Sequence, residues 1–272
     1  MQNTIDWDDA YSNAAYIPDA YKIAAAWPID AAAFRNHYSN ALLDVPYGNS
    51  PRQKYDLFMP EKKPIGLAIF IHGGYWLEFD KSSWSQFAEG ALQKNWAIML
   101  PSYDLCPHVH ISDITKQIGL AITSAALRVK GPIHISGHSA GGHLAFRMGC
   151  MNTPLTTSVS TRVQKIVGIS GLYDLNPLCK TAMNNDLRIT PEEATQESPI
   201  FQQPIKHIDF TCAVGSIERP EFIRQSKDMT KMWSKAGTNI LYHEEADKHH
   251  FNVIDSLKHA ESALAKTLYT ER

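Results

Sequence analysis

The sequence predicts an α/β fold, a mainly parallel sheet covered by helices on both faces. Three observations carry this. Short apolar runs alternate with helix-like stretches from residue 67 almost to the C-terminus, the order expected of β-then-α units. The run Leu67–Ile71 contains no polar residue, as in a strand buried on both faces. The composition, 44% apolar and 20% charged, allows a large core and argues against disorder. At 272 residues one domain over 1–272 is expected, since single α/β domains often reach 250 residues.

Residues 1–40, rich in Ala, Tyr and Asp, predict an N-terminal helical extension lying against the main body. Residues 42–60 hold two strand-like runs around Tyr47-Gly48-Asn49-Ser50-Pro51, which predicts a hairpin. After the Leu67–Ile71 strand, a helix is expected at 81–94 and a strand at 97–100. Ile111, Ile114, Ile118, Ile122 and Ala125 recur at helical spacing and form one apolar stripe. Residues 133–136, 165–170, 210–214 and 239–242 read as further strands. Val253, Leu257, Ala260 and Leu264 mark one face of a final helix. Only 175–205 break this rhythm, and they read either as a lid excursion over the sheet or as a surface loop with a short helix near Pro191.

Charge and cysteine usage exclude several classes of function. With 26 Lys+Arg against 28 Asp+Glu the formal charge is −2, so neither a nucleic acid nor a membrane is an expected partner. The first ten residues carry no basic side chain and no apolar run follows them, unlike a signal peptide. Cys106, Cys150, Cys179 and Cys212 are widely spaced, as expected of reduced core thiols in a cytoplasmic protein. None sits in a recognisable nucleophile context.

Gly137-His138-Ser139-Ala140-Gly141 fits G-x-S-x-G. The pattern gains meaning because a strand precedes it and a helix follows, so that a sharp turn can project the Ser139 hydroxyl. The Ala140 N–H then lies at a helix N-terminus, where a developing negative charge is stabilised. The competing reading is a glycine-rich structural turn. A second motif, His72-Gly73-Gly74-Tyr75-Trp76, follows the Leu67–Ile71 strand, and its glycines let backbone N–H groups face a substrate as the other half of an oxyanion hole. His72 reads as loop-shaping. Trp76 fits either core packing or a pocket wall, and His138 is a second candidate for the substrate pocket.

A nucleophilic serine needs a base and an acid, expected in the order Ser, Asp or Glu, His. His249 and His250 lie in the loop after the last strand and tie on spacing; His243 is still at the strand edge. Glu218 is the first carboxylate after the strand at 210–214 and is favoured as the acid. Asp174 is its rival, with turn bracing as the alternative role. The adjacent pair His249-His250 and the absence of H-E-x-x-H give little support to a metal site, and no cofactor is expected.

HGGYW at 72–76 together with GHSAGG at 137–142 resembles the arylformamidase (kynurenine formamidase) branch of the α/β-hydrolase fold, near the hormone-sensitive-lipase-like esterases. The likeness extends through Asp44-Val45-Pro46-Tyr47-Gly48, residues 55–60 and 103–107, Gly171-Leu172-Tyr173-Asp174-Leu175, Pro220-Glu221-Phe222 and His250-Phe251. The resemblance implies His250 as the base and Glu218 as the acid, where the family usually carries Asp. It also implies an oxyanion hole built from the N–H groups of Gly74, Tyr75 and Ala140, and hydrolysis of N-formyl-L-kynurenine. The alternatives are a carboxylesterase for short acyl or aryl esters and, more remotely, a non-catalytic ligand-binding homologue. The last predicts a broken triad, whereas Ser139, Glu218 and His250 are all present. The expected partner is a small-molecule ester or amide, with the chain acting alone or as a homodimer.

Overall fold

The computed structural model describes residues 5–270. Eight strands form one sheet: β1 (Ala41–Pro46), β2 (Lys54–Phe58), β3 (Leu67–Ile71), β4 (Ala97–Pro101), β5 (Ile133–His138), β6 (Val163–Ile169), β7 (Asp209–Gly215) and β8 (Ile240–Glu245). Their spatial order is β1-β2-β4-β3-β5-β6-β7-β8. The expected hairpin is present as the antiparallel pair β1–β2, and β2 also runs antiparallel to β4. All remaining pairs are parallel. Every residue of β3, β4 and β5 is buried, which is why these segments read as apolar runs rather than alternating ones.

Ten α-helices are described: α1 (Trp7–Ala10), α2 (Ala20–His37), α3 (Glu89–Gln93), α4 (Ile111–Arg128), α5 (Ala140–Met148), α6 (Thr157–Ser160), α7 (Asn184–Leu187), α8 (Pro191–Glu197), α9 (Pro220–Lys235) and α10 (Ala263–Tyr269). The core divides between the two faces of the sheet. On one side Leu67, Ile69 and Ile71 of β3 join Ile118 of α4, Leu144 of α5 and Trp233 of α9. On the other, Ala68 and Phe70 join Trp27 of α2, Ala91 of α3 and Leu264 of α10. The alternation along β3 follows from the two-residue repeat of a strand.

Two expected helices are broken. Residues 81–94 form 3₁₀ turns at Lys81–Ser83 and Ser85–Ala88 before α3. Asp80 caps the first turn by accepting from Ser82 N, and Lys81 is drawn away to Asp44 and Asp56, 2.9 and 2.8 Å distant. The final helix divides into a 3₁₀ turn, Val253–Lys258, and α10. Ser262 separates them, because its hydroxyl caps α10 by accepting from Ala265 N at 3.1 Å, as a residue just outside a helix does.

Residues 175–205 take the form of a loop with short helices, one of them beginning at Pro191, the second of the two forms expected for them. Glu197 at the end of α8 pairs with Arg147 of α5 at 3.0 Å and accepts from Thr115 of α4 at 2.6 Å. His143 bonds the Glu197 carbonyl at 2.8 Å, and all four residues are buried. The segment is thereby fastened to the helix that follows Ser139.

Removing one partner of a buried ion pair leaves the other charge uncompensated, at a cost of about 3–5 kcal/mol. Glu197→Ala is expected to lose that much stability in equilibrium denaturation. A loss below about 1 kcal/mol would contradict the fastening.

Candidate active site

In the sheet order, β3 has β4 on one side and β5 on the other. Loops leaving the C-terminal ends of β3 and β5 therefore part in opposite directions and leave a crevice, the usual ligand position in open α/β sheets. The two glycine motifs lie there. Ser139 joins β5 to α5 with φ 56° and ψ −119°, the strained turn of a nucleophile elbow. A Cβ on Gly137 would lie 2.0 Å from the Gly141 carbonyl oxygen, and one on Gly141 would lie 2.0 Å from that of Ile71. No side chain fits at either place, so glycine is a steric requirement of the turn. Ser139 N donates to Ile169 O at 2.8 Å, fixing the elbow to β6.

The loop after β3 presses against this elbow: a Cβ on Gly73 would stand 3.0 Å from that of Ser139. Gly74, Tyr75 and Trp76 have φ of 98°, 48° and 59°. For bulky residues such a conformation costs about 1–3 kcal/mol each and persists only where the surroundings enforce it. The N–H groups of Gly74 and Tyr75 find no backbone acceptor among the described residues. That of Ala140, first in α5, has no intrahelical partner by geometry. His72 shapes the loop as expected: it stacks on Tyr103 with ring centroids 4.3 Å apart and its Nδ1 meets Gly73 O at 2.8 Å.

The histidine and acid assignments separate cleanly. His250 Nδ1 lies 2.7 Å from Glu218 Oε2, with both side chains buried. The other Glu218 oxygen accepts from Ser170 Oγ at 2.5 Å and from Gly215 N at 2.8 Å, so the buried carboxylate is compensated by donors. His249 instead turns into its own loop, its Nδ1 accepting from Phe251 N and Asn252 N. The two adjacent rings are thus divided between different partners, and no cluster of His, Cys, Asp and Glu able to hold a metal occurs among the described residues. Asp174 Oδ1 accepts from the backbone and side chain of Asn176, a local turn brace.

A cavity of about 400 Å³ brings Ser139, His250, His138, Gly74 and Tyr75 together. Trp27, Phe79, Trp84 and Phe251 give it aromatic walls, and Tyr11, Ser12, Asn13, Ala14, Ala20, Tyr21 and Ala24 complete it from the N-terminal segment. None of its lining residues comes from 175–205. A larger hollow of about 600 Å³ beside Leu127 and Arg162 has no histidine or carboxylate in its wall. Of the two pocket candidates, His138 lines the cavity, while Trp76 is fully buried in the core with its ring edge-to-face against His143. His138 Nε2 donates to the His250 carbonyl at 2.9 Å, and their rings lie 4.6 Å apart. The Phe222 ring lies tilted against that of His250, with centroids 4.5 Å apart. The sequence reading missed Ser170, Phe222 and the N-terminal wall. Ser170 sits where a parallel strand ends, the sole signal available for it; the wall depends on contacts remote in sequence.

These features define a hydrolase, and similarity to known proteins agrees. Residues 55–231 match the BD-FAE family, a stretch that contains Ser139 and Glu218 but neither His250 nor the N-terminal wall. The chain belongs to this family, within the arylformamidase-like α/β-hydrolases. It is 30% identical to kynurenine formamidase of Danio rerio over 85% of this chain and 81% of that protein. Against kynurenine formamidase of Salmo salar the identity is 29%, with the same coverage. A provisionally assigned thioesterase of Silicibacter sp. TM1040 is 44% identical, with a TM-score of 0.92 over 98% of this chain and all of that one. Among the described residues no helix is long and apolar enough to cross a membrane.

Burial holds three histidines of this region in the neutral form. His72 and His143 are pushed down to about 4 from an ordinary 6.5, and His138 well below 6.5 by burial and by the neighbouring His250. A depressed folded-state pKa gives stability that is complete above the unfolded value and lost as pH falls toward the folded one. Denaturation measured at pH 7 and pH 5 should therefore show a loss of about 1–2 kcal/mol for each of His72 and His143, with His138 adding in the same direction. Equal stability at the two values would refute their buried neutral state.

Proposed function

We propose that the protein is a serine hydrolase working by two-step acyl transfer, with Ser139 as nucleophile, His250 as base and Glu218 as the acid that orients it. The observation carrying this is the buried 2.7 Å contact of Glu218 with His250 Nδ1, at the wall of the cavity that also holds Ser139. With Nδ1–H donated to Glu218, the Nε2 lone pair of His250 is left to take the Ser139 proton. The N–H groups of Gly74, Tyr75 and Ala140 receive the oxyanion as the hydroxyl attacks a carbonyl carbon. His250 then returns the proton to the leaving group, and water, activated by the same imidazole, hydrolyses the acyl-enzyme. Every step is served by protein groups, so the reading requires no cofactor.

The substrate in this proposal is a small aryl formamide of the N-formyl-kynurenine type, handled in the cytoplasm. Its support is the likeness to kynurenine formamidases over most of the chain and a cavity with aromatic walls, of a size within the usual range for a small-molecule site. A second reading, hydrolysis of short acyl esters or thioesters, is favoured by the 44% identity to the provisionally assigned thioesterase. The two share their machinery and differ in the acyl group accepted.

Ser139→Ala should lower kcat at least about a thousandfold without unfolding the protein; retained turnover would remove the serine from the mechanism. Loss of the correctly oriented imidazole should cost Glu218→Gln about a hundredfold or more, and Asp174→Asn less than about threefold. A larger effect at Asp174 would reverse the assignment of the acid. Measured kcat/KM for N-formyl-kynurenine should exceed that for acetyl and butyryl aryl esters, and preference for the butyryl ester would select the esterase reading.

A further inference from the structure

The strained loop after β3 has an anchor far away in the sequence. The Tyr75 hydroxyl donates to the Tyr11 carbonyl at 2.7 Å and accepts from Asn13 Nδ2 at 3.3 Å. Tyr11 is itself held from the acid side of the site. Its hydroxyl donates to Glu221 Oε1 at 3.0 Å and accepts from Gln225 Nε2 at 2.8 Å, both on α9, which begins just after Glu218. Arg219, the residue following Glu218, donates to the Asp9 carbonyl at 3.0 Å and lies 3.6 Å over the Tyr16 ring. The N-terminal segment therefore spans from the acid loop to the glycine loop and is fixed at both ends.

We propose that Tyr75 is a positioning residue, its phenol acting through this bridge to hold its own backbone N–H where the oxyanion forms; this rests on the serine-hydrolase reading above. The loop needs such a hold because Tyr75 and Trp76 both have positive φ, a state that side chains keep only when their surroundings enforce it. Two other restraints act on either side of Tyr75: Leu77 N and Glu78 N donate to Gly74 O at 2.9 and 3.0 Å, and Cys106 N donates to Trp76 O at 2.9 Å. The phenol supplies the restraint on Tyr75 itself. Burial, reinforced by the nearby Glu218, pushes its pKa upward, so the hydroxyl keeps the proton it donates to Tyr11. Without that bond, Tyr75 can return to negative φ and swing its N–H away from the crevice.

The experiment compares steady-state kinetics of wild type, Tyr75→Phe, Asn13→Ala and Ser139→Ala on one aryl ester and on N-formyl-kynurenine. It also measures the affinity of an aryl boronic acid as a mimic of the tetrahedral species. Tyr75→Phe keeps the ring and should lower kcat about tenfold with KM changed less than about twofold, and boronate affinity should fall in step; a lost oxyanion donor costs more than this. Asn13→Ala should lower kcat by about threefold in the same pattern. A rise in KM with kcat unchanged would overturn the proposal, because the segment would then be a wall alone. Wild-type kinetics in Tyr75→Phe alongside an inactive Ser139→Ala would also overturn it while leaving the serine mechanism standing. Should Tyr75→Phe fail to fold, Asn13→Ala decides by the same split between kcat and KM. Activity in Ser139→Ala would instead sink the serine-hydrolase reading itself.

Discussion

The close approach of α5 to the ends of β3 and β5 governs the rest of the molecule. Gly141 passes the Ile71 carbonyl so tightly that even a methyl group would overlap it. That contact brings the N-terminus of a helix, with its unpaired N–H groups, against a strand end. It also forces Ser139 into a positive-φ turn and sets the loop after β3 directly beside it. The fully buried strands supply a rigid frame for this strain.

The contact of Glu218 with His250 depends on the same frame from the opposite side. Glu218 leaves β7, and its carboxylate turns back to accept from Gly215 N, at the end of that strand, and from Ser170, just beyond β6. Three donors around one buried carboxylate fix its orientation before any substrate arrives, the pre-organisation that catalysis in a desolvated site exploits. The resembled family usually has aspartate here. The longer glutamate folds back onto its own strand end, and the reach to His250 is retained at 2.7 Å.

What could be read from the sequence follows the range of the forces involved. Strands β3 to β7 were legible because burial on both faces leaves largely apolar runs, and the turn at Ser139 was legible because close backbone approach demands glycine at fixed spacing. The meeting of Glu218 with His250 was foreshadowed by their positions after the last two strands, although choosing between His249 and His250 took the resemblance to a family. Side-chain interactions remote in sequence remained hidden. Lys81 is taken up by Asp44 and Asp56, which divides an expected helix. Glu197 finds Arg147 and Thr115, which fastens the segment 175–205 to α5 and α4.

The cavity thus has two origins. Its reactive floor is built by the strand ends, where nearly every position is sterically constrained. Its outer wall comes from residues 11–27, which contribute no strand to the sheet and lie outside the stretch 55–231 matched to the family. Ala20, Tyr21 and Ala24 contribute to that wall from positions outside the turn at Ser139. The segment that shapes the cavity is thus also fastened to the loop beside Ser139, so a change of wall at Tyr11 or Asn13 carries through to that backbone.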